Sequence, residues 1–290
     1  MNSSQVSRRA QFYTPKFISP TNCAFLDALI AGGPLGMNRT IKTILNIVSV
    51  AAVIGSSVYI GKFYLDNKES ENHETEVKNL ITVRPELDAE GDSFHFTKDQ
   101  FKQLKEKYSD FVGWMAFDDE YASLPLVQSY DNDYYLRRWI DGSYDVQGTV
   151  FFDYLNKING DTNLTIYGHR VSYDESAKFS PLSKLVDQEE YDKHHEFKIW
   201  YENEVRTYVI TNIFYYNSYT DMNFDFTQRN FYTRKDFEKY HEYVNRYNLI
   251  QSNEELKYGD RFLSLQTCKI NSGIEKIICI AKQVQANDYE

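Results

Sequence analysis

The chain has 290 residues, of which 42% are apolar and 16% aromatic, enough to build a real core in one large domain or two small ones. A formal net charge of −10 leaves no basic footprint for a nucleic acid. The three cysteines, an odd number, argue against a disulfide scaffold and for a free thiol with a task.

Residues 1–36 are polar, mildly basic and without periodicity, and they include Cys23. Two readings stand for them: part of a cytoplasmic tail spanning 1–39, or a segment foreign to the working protein, with Met37 as its natural start. Ile44 to Ile60 carries no charge and is close to the minimum length for a membrane-crossing helix, so a single transmembrane anchor is expected over 40–62. Arg39 and Lys42 precede this run while Asp66, Glu69, Glu71 and Glu74 follow it, a bias that keeps the N-terminus cytoplasmic and sends the rest of the chain outside. Beyond residue 62 the chain holds 26 basic and 41 acidic residues, which makes the external part strongly acidic. Residues 63–95 are charged and poor in apolar side chains and read as a linker.

A folded domain is expected over 96–290. Thr97-Lys98-Asp99-Gln100 is a capping-box pattern, and Phe101, Leu104, Tyr108 and Phe111 follow at helical spacing. Trp114–Phe117 and Leu124–Gln128 read as short strands, and Tyr134–Trp139 as an ambiguous segment or helical turn. Gly148–Asp153, Leu164–Tyr167, Phe197–Trp200, Thr207–Tyr216, Phe262–Thr267 and Lys276–Val284 complete about eight strands, a spacing that suggests a closed or nearly closed barrel. Between the last two groups, Thr233 caps an amphipathic helix running to Ile250, with Phe237, Tyr240, Val244 and Tyr247 on its apolar face.

The chemistry collects at strand ends. Phe262–Cys268 alternates apolar and polar residues, with Leu263 and Leu265 on one face, and delivers a thiol at its tip. Leu164–His169 delivers an imidazole in the same way, and a cysteine and a histidine far apart in sequence can meet in a fold. Gly273 marks a turn, after which Lys276–Ala281 returns as a strand and carries Lys276 back beside Cys268. The other histidines, His73, His95, His194, His195 and His241, lie in charged or linker contexts. Cys279 sits between Ile278 and Ile280 and fits a buried apolar role; a Cys268–Cys279 disulfide would silence the thiol. No metal-ligand set stands out, since adjacent His194 and His195 do not converge on one ion, and no Gly-x-Ser-x-Gly elbow occurs.

Tyr167-Gly168-His169, the Thr267-Cys268 strand end and a basic residue opening the last strand resemble the sortases, cysteine transpeptidases of Gram-positive cell surfaces. Gly113-Trp114, Leu124–Gln128, the Asp131–Leu136 segment and Gly148–Asp153 arrive in the order of class B of that family, and the likeness covers roughly Thr97 to Val284. It implies a mainly β fold: an eight-stranded sortase-like barrel with an N-terminal helix and a long helix before the cysteine strand, preceded by one transmembrane helix. It implies Cys268 as nucleophile and His169 as acid and base. The family places an arginine where this chain has Lys276, which keeps the charge and loses the planar fork. Either Lys276 takes that role or Arg261 or Arg170 reaches in. By the same resemblance Asn132 hydrogen-bonds the sorting peptide and Leu136 walls the groove, with Gln266 and Thr267 as further substrate contacts; on residue type alone Asn132 reads as a turn or cap residue.

The activity implied is transpeptidation without cofactor or metal. A secreted protein bearing an Asn-Pro-Gln-Thr-Asn-like or Pro-x-Thr-Gly-like signal would be cut after Thr and joined to a peptidoglycan amine at the outer membrane face. Two alternatives remain: a pilin-polymerising sortase using a pilin lysine, and a membrane-tethered, catalytically weak binding module that kept the barrel.

Overall fold

A computed structural model describes residues 38–81, 96–117, 121–171, 174–268 and 274–288. The 1–36 segment with Cys23, and the turn expected at Gly273, lie outside the described residues. The chain divides into two units, one ending at Ile60 and one beginning at Gly61.

Helix α1 spans Arg39–Ile81 and is the one described helix long and apolar enough to cross a membrane by length and composition, with a mean hydropathy of 1.9 over its apolar window. The linker expected over 63–95 is helical as far as Ile81, and residues 82–95 lie outside the described residues. The physical reason is a face that hydropathy does not reveal: Asn67, Ser70 and Val77 are buried and His73 and Glu74 half-buried, at helical spacing but mostly polar.

In the second unit eight strands close into a barrel in the order β1-β2-β3-β4-β7-β8-β6-β5. They are β1 (Phe111–Phe117), β2 (Ser123–Gln128), β3 (Val150–Phe152), β4 (Asn163–Tyr167), β5 (Glu196–Trp200), β6 (Val205–Asn217), β7 (Phe262–Cys268) and β8 (Glu275–Asn287). Two neighbouring pairs, β2 with β3 and β4 with β7, run parallel; the others are antiparallel. The two-residue period sorts each strand. Leu164, Ile166, Leu263, Leu265, Ile277, Cys279 and Ala281 fill the interior, while Tyr167, Phe262, Ile278 and Ile280 pack outside it.

Helix α2 (Lys98–Lys107) opens with the expected capping box: Gln100 N donates to Thr97 Oγ1 at 3.2 Å and Thr97 N donates to Gln100 Oε1 at 2.8 Å. It ends before the expected stripe does, so that Tyr108 caps it and Phe111 opens β1 instead of completing a helical face. Helix α3 (Gln188–His194) is short and capped by Asp187. Helix α4 (Arg234–Arg246), capped by Thr233, lays Phe237, Tyr240 and Val244 on the barrel's outside against Phe262, Ile278 and Ile280. Burying each such side chain stabilises the fold by about 1.5–3 kcal/mol. The ambiguous Tyr134–Trp139 segment forms a 3-10 turn over Tyr134–Arg137.

Candidate active site

Strands β4 and β7 lie side by side and run the same way, with Tyr167 opposite Gln266. Gly168 N donates to Gln266 O at 3.1 Å and carries the pairing one residue further, so His169 and Cys268 leave adjacent strands at the same end of the barrel. Across the other edge of β7, Cys268 is directly opposite Lys276 in β8, and Lys276 Nζ donates to Cys268 Sγ at 3.3 Å. The hairpin expected from sequence therefore places cation against thiol.

These three side chains line one groove of about 320 Å³ on the outside of the barrel. Asn132, Leu136 and Gln266 line it too, joined by Phe151, Tyr167 and Gly168. Thr267 does not share this wall. It is 0% exposed, because the alternation that points Gln266 and Cys268 outward turns its side chain inward with Leu263 and Leu265, which leaves only its backbone for the expected substrate contact.

His169 Nε2 lies 2.9 Å from the carbonyl oxygen of Leu136. A carbonyl only accepts, so Nε2 carries the proton and Nδ1 is the nitrogen that titrates. Burial pushes the imidazole pKa down, the Leu136 carbonyl opposes this, and the positive charges of Arg137, Lys276 and Lys178 depress it further. Among the described residues, His169 and Cys268 share the groove without a hydrogen bond between them.

Among the described residues, the cation lining the groove is Lys276. Arg261 sits at the far end of β7, about 23 Å from Cys268 at roughly 3.3 Å per residue, and donates to Ile158 O at 2.9 Å. Arg170 leaves the strand beyond His169, pairs by its backbone with Lys178, and does not line the groove.

Asn132 is tied on both ends of its amide. Its Nδ2 donates to Asp153 Oδ2 at 2.8 Å and its Oδ1 accepts from Tyr154 N at 3.0 Å. Tyr167 Oη donates to the same Asp153 oxygen at 2.9 Å, and burial with that carboxylate pushes the phenol far up. Asp153 thus fixes two groove walls while being buried itself. Sequence reasoning placed it only at a strand end. Its polar character at the close of an apolar run was the available signal.

The second described cysteine, Cys279, is fully buried in the barrel interior, and burial pushes its thiol up to about 12. It and Cys268 are both free thiols.

No family model matches the chain. It is 28% identical to sortase B of Listeria monocytogenes over 238 residues, covering 81% of this chain and 94% of that protein. It is 23% identical to sortase B of Staphylococcus aureus, covering 84% and 97%. The S. aureus sortase B–substrate complex superposes with a TM-score of 0.63 at 20% identity, over 76% of this chain and 98% of that one. Sortase B of Bacillus anthracis, in complex with AAEK1, gives the same TM-score at 25% identity over 77% and 99%.

The closed barrel, with a thiol, an imidazole and an ammonium on one outer groove, is similar to the sortases, the class of cysteine transpeptidases to which these relatives belong. Within that family the likeness is to class B, the class of both curated relatives.

Proposed function

We propose that this protein is a membrane-anchored transpeptidase that cuts a sorting signal after threonine and transfers the new acyl group to a peptidoglycan amine. The observation that carries this reading is the register pairing of Cys268 with Lys276 at 3.3 Å, on the same groove as His169. In the reaction Cys268, as thiolate, attacks the threonine carbonyl. Lys276 stands where negative charge develops, first at sulfur and then at the adjacent oxyanion. The imidazolium of His169 gives its Nδ1 proton to the departing amine, and the neutral ring later takes one from the incoming amine as it displaces the thioester. Asn132, Leu136 and Gln266 would contact the peptide, with Asn132 and Tyr167 held in place by Asp153.

The substrate class rests on family kinship: S. aureus sortase B has been captured with a substrate. An Asn-Pro-Gln-Thr-Asn-like signal is the first choice and a Pro-x-Thr-Gly-like signal the second. The apolar half of α1, with Arg39 and Lys42 on one side of it, supports a single-pass anchor with a cytoplasmic N-terminus and an external catalytic domain.

A quenched Asn-Pro-Gln-Thr-Asn peptide, incubated with and without hydroxylamine, tests the reading. Turnover that rises with the added nucleophile and vanishes in Cys268→Ala is expected. Failure to form a thioacyl adduct with either signal would leave a binding module.

A further inference from the structure

Beyond the catalytic trio, the half of α1 within the second unit makes contacts that a spacer would not. Its inward face meets the two loops that flank His169. On one side Glu74 Oε1 lies 2.8 Å from Lys178 Nζ, and Lys178 is 1% exposed, with its ammonium 4.2 Å over the ring of Trp139. Lys178 has a left-handed backbone, φ 51°, which a residue with a long side chain adopts only when its surroundings impose it. Next to it, Phe179 N donates to His169 O at 3.0 Å. The Phe179 ring presses on Gly168 so closely that a Cβ there would stand 2.4 Å from it.

On the other side Ser70 Oγ donates to Asp145 Oδ1 at 2.6 Å, while His73 Nδ1 lies 3.2 Å from Asp145 Oδ2 and its ring stacks on Trp139. Asp145 in turn accepts from Gln147 N and Gly148 N, and its own amide donates to Arg137 O. Gly148, at φ 65°, approaches Leu136 so tightly that a Cβ would stand 2.7 Å from the Leu136 oxygen. That oxygen is the one that holds the His169 ring.

We propose that α1, through Glu74 on Lys178 and Ser70 on Asp145, is a positioning element for His169, holding its backbone from one side and its ring acceptor from the other. A buried ammonium left without its carboxylate is strongly disfavoured, so the loop carrying Lys178 keeps this conformation only while Glu74 is opposite it. This inference rests on the proposed reading in which His169 moves the proton, and Glu74 acts only through the loop, never on substrate.

The test uses the full chain in detergent micelles, the quenched Asn-Pro-Gln-Thr-Asn peptide, and hydrogen exchange resolved to peptides. Glu74→Gln should lower kcat about tenfold, equivalent to roughly 1.4 kcal/mol, with KM within about twofold. Exchange at 169–179 should quicken while β7 and β8 keep their protection. Glu74→Asp, which keeps the charge, should recover most of kcat. Wild-type kcat in a folded Glu74→Gln, or a loss shared evenly with barrel protection, would overturn the proposal. Should Glu74→Gln fail to fold, Ser70→Ala decides on the other arm: a severalfold fall in kcat supports it and an unchanged kcat overturns it. If the wild type shows no Cys268-dependent turnover, the functional reading falls, and the exchange data still report whether α1 holds the loop.

Discussion

The carbonyl oxygen of Leu136 and Nε2 of His169, 2.9 Å apart, fix which nitrogen of the imidazole is free to exchange protons. Leu136 enters the site by its backbone as well as by its side chain, so no side-chain substitution there removes the contact. The ring's charge state then follows from burial and from its cationic neighbours.

The imidazole pKa lies below its ordinary value of about 6.5. The acid limb of the kcat/KM profile is therefore expected below pH 6.5, matched by an NMR titration of His169. The sign for stability is the same: the unfolded ring binds its proton at higher pH than the folded one. Stability should thus fall as pH drops from about 6.5 towards the lowered folded pKa. Lys178→Met removes one depressing charge, and the His169 titration should move up.

Lys276→Met should cost about 10²–10³ in kcat, the usual loss for one oxyanion donor, with Cys268 still open to alkylation. Lys276→Arg should retain activity, since β8 places either cation opposite Cys268. A silent Lys276→Met in the peptide assay would remove this residue from the chemistry.

Iodoacetamide should label Cys268 in the folded protein and leave Cys279 untouched until denaturant is added. With its thiol pushed up to about 12, only roughly one Cys279 in 10⁴ is thiolate at pH 8, and the barrel interior encloses it. Peptide mass spectrometry reads the outcome directly.

Asp153→Asn should weaken the hold on Asn132 and Tyr167 together. KM for the sorting peptide is expected to rise about tenfold, the loss of one to two charge-assisted hydrogen bonds, with kcat changed less. An equal fall in kcat with no change in KM would assign Asp153 to the reaction itself.

Much of this site could be read from the chain because it sits on strands. The period of two in Phe262–Cys268 and Leu164–Tyr167 set their directions, and a hairpin of short reach put Lys276 against Cys268. That same period turns the Thr267 side chain inward with Leu265. Asp153, Glu74 and Lys178 were not legible, because their importance lies in partners distant in sequence. The inward face of α1 escaped notice because Asn67, Ser70, His73 and Glu74 are polar, and helical periodicity is usually read from apolar residues.

The order of the strands also sets when the groove can assemble. β4 is made early and carries the imidazole, but its parallel neighbour β7 is separated from it in sequence by β5, β6 and α4, and β8 must fill the last gap beside β6. The groove is consequently incomplete until the last strands of the chain have been made. Cys268 meets Lys276 through the local pairing of β7 with β8, and comes to the end of the barrel that carries His169 only once β7 has joined β4.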